Sequence, residues 1–129
     1  GDPRYGDEVR RRPRELPGAE PLPPGAQTVA GAAGDADQGA RVEFEFIVER
    51  GQVARGRFRA FGCPHLLAAA SWVTDRLRGA TRDGLAAWDW REAAEALDVP
   101  AAKFGRLLTV QDAVRDAARN WPVAPGSTV

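Results

Sequence analysis

An α+β domain is the fold this sequence predicts: a small antiparallel β-sheet of two to three strands with helices packed on one face. Three observations predict it. Residues 42–49 alternate apolar and mostly acidic side chains with a period of two, the pattern of a half-buried strand. A second run of the same period follows Arg50-Gly51-Gln52, the arrangement of a hairpin. Beyond Gly62 the apolar spacing lengthens to a helical period, which recurs in segments to about residue 120.

Taken in order, Tyr5 to Glu15 reads as a short helix with Tyr5 and Val9 as apolar contacts, stopped by Pro17-Gly18. Pro21 to Pro24 is loop, Gln27 to Ala30 a short edge strand, and Gly31 to Gly39 a flexible loop. In the first long strand Val42, Phe44, Phe46 and Val48 face the core, and Glu43, Glu45, Ile47 and Glu49 face mostly solvent. In the second, Ala54, Gly56, Phe58 and Ala60 share one face, with Val53, Arg55, Arg57 and Arg59 on the other. A three-residue loop would set Glu45 against Arg57 and Glu43 against Arg59 outside, and Phe44 against Phe58 inside.

The first helix after the hairpin is expected over Pro64 to Arg78. Its stripe is Leu66, Ala70, Val73 and Leu77, with proline suited to the first turn and Gly79 to the stop. A shorter helix covers part of Leu85 to Leu97, ended by Pro100. The last runs from about Lys103 to Asn120 with Leu107, Val110, Val114, Ala117 and Trp121 on its core face. Three divisions of one domain follow. Residues 1–39 form an N-terminal helix and Gly/Pro-rich loop segment with an edge strand, 40–121 the hairpin and three helices, and 122–129 a flexible tail.

Composition narrows the function. Across 129 residues, 18 basic and 18 acidic side chains leave no net charge, so no global attraction to nucleic acid or an anionic membrane arises. No apolar run approaches the ~20 residues needed to span a bilayer. A single cysteine rules out an intramolecular disulfide framework, and the expected compartment is the cytoplasm. That cysteine, Cys63, lies two residues before the only histidine, His65, at the junction of strand and helix. Thiolate and imidazole are ligands for zinc and iron, which makes this junction the first candidate for chemistry. The tryptophans fall at core spacing and are not read as a platform for stacking bases.

The ordered set of motifs resembles the IscU and NifU N-terminal type of iron-sulfur cluster assembly scaffold. Phe61-Gly62-Cys63 leads into Ala68-Ala69-Ala70-Ser71, and Arg78-Gly79 closes the helix. Val99-Pro100-Ala101-Ala102-Lys103 resembles the family's proline-lysine segment, and Gln111-Asp112-Ala113-Val114 its last-helix signature with Gln in the acidic place. The resemblance implies the α+β fold and a [2Fe-2S] cluster built on three cysteines and one aspartate. It also implies sulfur from a cysteine desulfurase, delivery to other proteins, and no enzymatic turnover. Asp35, Cys63 and Lys103 match family positions. The family's first cysteine corresponds to Ala33 in Ala33-Gly34-Asp35, with about three extra residues before the strand, and the third falls at Gly105-Arg106.

Two of three thiolates are thus replaced, and a stable [2Fe-2S] cluster on one chain is not expected, because such clusters need four mainly thiolate ligands. Cys63 and Asp35 remain as cofactor ligands, with His65 as a third donor for a zinc or iron ion. Lys103 and Arg106 are neighbouring pocket residues, and Arg106 would repel a metal while lowering the thiol pKa. Three readings stay open: an assembly scaffold using this reduced set with desulfurase and other assembly proteins as partners, a metal-free interaction or regulatory module, and a thiol enzyme with His65 as base.

Overall fold

The computed structural model describes residues 25–122, and the N-terminal helix expected at Tyr5 to Glu15 lies outside them, as does the expected tail apart from Pro122. Three antiparallel strands form one sheet in the order β1 (Gln27–Asp35), β2 (Ala40–Glu49), β3 (Gln52–Phe61). Four helices follow: α1 (Pro64–Arg76), α2 (Arg82–Ala86), α3 (Arg91–Ala96) and α4 (Phe104–Arg119). None of these helices is long and apolar enough to cross a membrane. The α+β class and the sheet-plus-helices arrangement are as the sequence predicts.

The hairpin reaches its expected register by a different route. Its turn has two residues rather than three: Glu49 faces Gln52, while Arg50 (φ 55°) and Gly51 (φ 78°) both take the left-handed conformation of a tight hairpin turn. That turn alone would pair Glu45 with Gly56. A bulge beyond Val48 inserts one extra residue, Ala54, and restores Phe44 opposite Phe58, Glu45 opposite Arg57 and Glu43 opposite Arg59. Because the faces invert across a bulge, Val53 is buried and Ala54 exposed, the reverse of the simple alternation. Two solvent-face assignments also change. Ile47 and Arg57 are buried, Arg57 pairing with Glu45 across the strands, while Glu43 bonds Arg41 at 3.1 Å instead of Arg59.

β1 is the larger correction. It runs nine residues to Asp35, so Gly31–Asp35 is strand and not loop. Small residues there carry a weak strand signal of their own, and pairing along the whole of β2 overrides it. The composition has a reason in packing: a Cβ on Gly31 would lie 2.3 Å from the backbone nitrogen of Ala117 and 2.4 Å from the carbonyl of Ala113. Only glycine lets α4 approach this closely. The helix then satisfies the strand's outer edge. Asp116 accepts from the Ala32 N–H at 3.0 Å, and the Asn120 amide donates to the Ala30 carbonyl at 2.8 Å.

Between sheet and helices lie Val42, Phe44 and Phe46 from β2 with Leu66, Val73, Leu107, Val110 and Val114, all essentially fully buried. Phe44 and Phe46 stack at 5.5 Å, and the missing side chain of Gly56 makes room for the Phe46 ring. Helix α1 buries the predicted stripe, and its exit is tied to β3 by Gly79 N–H to Val53 carbonyl (2.7 Å) and Val53 N–H to Ala80 carbonyl (2.8 Å). The single middle helix expected within Leu85–Leu97 is instead two short ones. Between them the chain turns at Trp88–Trp90, where the Gln111 side chain accepts from the Trp90 N–H at 3.0 Å and Arg115 donates to the Trp88 carbonyl at 3.1 Å.

Two glycines provide opposed tests. Gly31→Ala should lower unfolding free energy by about 3 kcal/mol, because backbone rather than a flexible side chain blocks the added methyl. Gly105→Ala should raise it by about 0.5–1 kcal/mol, since that helical position opens on free space. Urea denaturation of the two variants checks both, and equal effects would contradict the packing described.

Candidate functional site

Cys63 takes its position from the residues on either side. Gly62 (φ 158°) ends the strand where a Cβ would meet Leu66 Cδ2 at 2.5 Å, so a side chain there would push the buried Leu66 side chain aside. Cys63 is then the N-cap of α1, in extended conformation, with Pro64 at the first helical position and Leu67 N–H bonded to the Cys63 carbonyl at 3.1 Å. The thiol is half-buried, packed against the core yet open to solvent.

Asp35 lies at the same end of the sheet. Strand register sets Asp35 beside Ala40 and Arg41 beside Phe61, so the ends of β1 and β3 flank the start of β2. Two strand spacings, roughly 10 Å in all, separate their backbones. One oxygen of Asp35 is already engaged, accepting from the Asp37 N–H at 2.8 Å to cap a 3-10 turn over Ala36–Gln38. The extra length before β2 is taken up by this turn and Gly39. Gly34 (φ 94°) precedes Asp35, and a Cβ on it would clash with the Ala40 carbonyl at 2.3 Å.

The N-terminal part of α4 closes the third side. Lys103 ends a 3-10 turn, Ala101–Lys103, that leads into α4, and Arg106 follows in the first helical turn; both are half-buried. Thr109, a further turn along, comes within 3.0 Å of the Cβ position of Gly34, which sets this stretch of helix against the Asp35 end of β1. The Lys103 ammonium and the Arg106 guanidinium both act on the Cys63 thiol, while Asp35 ends β1 on the other side of β2. His65 is half-buried in the first turn of α1. Among the described residues no three His, Cys, Asp or Glu side chains converge closely enough to hold a metal ion, and Asp35, Cys63 and His65 do not form such a group.

The electrostatics favour ionised sulfur. Partial burial pushes the Cys63 thiol up. The backbone N–H groups of Leu66 and His65 at the helix start, the Lys103 ammonium and the Arg106 guanidinium act against it and prevail, so the thiol ionises below its ordinary range. The sequence does not reveal the packing role of Gln111. It sits in the place of an acid in the last-helix signature, and here it is a buried acceptor that holds the Trp88–Trp90 turn on α4. A lone polar residue on an otherwise apolar face of the helix was the available signal.

The fold and this site define a small α+β domain that presents one activated thiol at the end of a three-stranded sheet. The NifU-like N terminal domain family matches residues 13–127, and the chain belongs to it. It is 28% identical over 88 residues to the iron-sulfur cluster assembly protein IscU of Plasmodium falciparum, covering 68% of this chain and 54% of that protein. To the iron-sulfur cluster assembly scaffold protein IscU of Escherichia coli K12 it is 27% identical over 75 residues, 58% of this chain and 59% of the other. Iron-sulfur cluster assembly protein 2 of Arabidopsis thaliana is 29% identical over 75 residues, 58% of this chain and 46% of that protein. The chain thus spans about half the length of the curated relatives it matches.

Alkylation of Cys63 should follow a single ionisation centred below ~8.5, the value of a free thiol. The sign is fixed by the ionised form being the nucleophile: as pH falls through the lowered pKa the thiol protonates and the rate drops. Arg106→Gln and Lys103→Gln should each move the midpoint upward. Iodoacetamide labelling followed by mass spectrometry across the pH range reads the shift, and a wild-type midpoint at or above ~8.5 would contradict the site's electrostatics.

Proposed function

We propose that this protein works in iron-sulfur cluster assembly as a scaffold-like carrier, not as an enzyme, with Cys63 as the residue that holds the cargo. The single observation that supports this reading most is the placement of an activated, half-exposed thiol at the end of the sheet, between the Asp35 turn and the Lys103–Arg106 stretch of α4. Family membership supplies the context, since its named relatives are assembly proteins.

The cargo is sulfur, zinc or iron bound through the reduced set of Cys63 with Asp35 or His65, and the partners are a cysteine desulfurase and other assembly proteins of the cytoplasm. Of these cargoes, sulfur asks least of the site, because it needs one thiolate and no convergent donor set. In that step the Cys63 thiolate attacks the outer sulfur of a donor persulfide. A new S–S bond forms on Cys63, the donor's S–S bond breaks, and the donor leaves as a thiolate, which the cations around Cys63 assist by stabilising negative charge. For metal, Cys63 with either oxygen or imidazole donors would need water or a second chain to complete the shell.

Incubation with a cysteine desulfurase and cysteine, followed by intact-mass analysis, tests the reading. One added sulfur on the wild-type chain and none on Cys63→Ser is the expected outcome. Anaerobic reconstitution with iron and sulfide should leave less than one [2Fe-2S] per chain, given the two replaced thiolates. If the chain takes up neither sulfur nor metal through Cys63, the carrier role is wrong.

A further inference from the structure

We draw no further inference here: the strongest candidate, the groove over the outer face of the sheet between Glu43 and Glu45 of β2 and Asp116 of α4, has carboxylates that already pair with arginines, and nothing among the described residues shows what covers it.

Discussion

The close approach of β1 and α4 at Gly31 is the constraint on which the rest of the structure depends. Contact between the strand backbone and the Ala113–Ala117 turn of the helix leaves no space for a side chain. Hydrogen bonds from Asp116 and Asn120 then join the edge of the strand to the helix, so α4 caps the sheet as well as packing on it. An exposed strand edge invites pairing with other chains, and this arrangement blunts one edge with side chains already needed for docking. Because the anchor lies in the second half of α4, the first half is held along the sheet toward Asp35 and Cys63. The position of Arg106 is thus a consequence of packing two turns away.

The same logic explains how Cys63 is held in place. Gly62 and Pro64 set its backbone, and Leu66 behind them is fully buried. A metal pocket needs several donors at fixed separations, whereas a nucleophilic or sulfur-bearing thiol needs ionisation and access.

Polar residues inside the domain follow a consistent pattern. Arg57 is buried only with Glu45 as its cross-strand partner, and Gln111 only with the Trp90 N–H to satisfy it. Thr74 donates to the Ala70 carbonyl at 2.7 Å within its own helix. Each removes an unsatisfied group that burial would otherwise penalise.

Periodicity in the sequence determined the hairpin partners, the apolar stripe of α1 and that of α4, because side-chain spacing of two or 3.6 residues is a local property of the chain. The junction at Cys63 was legible for the same reason: a glycine to end the strand and a proline to begin the helix bracket it. Only tertiary structure decided the length of β1, since alanine and glycine carry little strand preference and their identity answers to a helix some eighty residues away. It also decided the bulge at Ala54, which a sequence cannot distinguish from a longer loop when both give the same register. The division of the middle helix at Trp88–Trp90 likewise depended on Gln111 and Arg115 from α4. At the site, the sequence named Asp35, His65, Lys103 and Arg106 as neighbours of Cys63, and the fold sorted them, drawing the two cations to the thiol and leaving Asp35 across β2. That sorting depends on how strands and helices meet in space, which no spacing along the chain encodes.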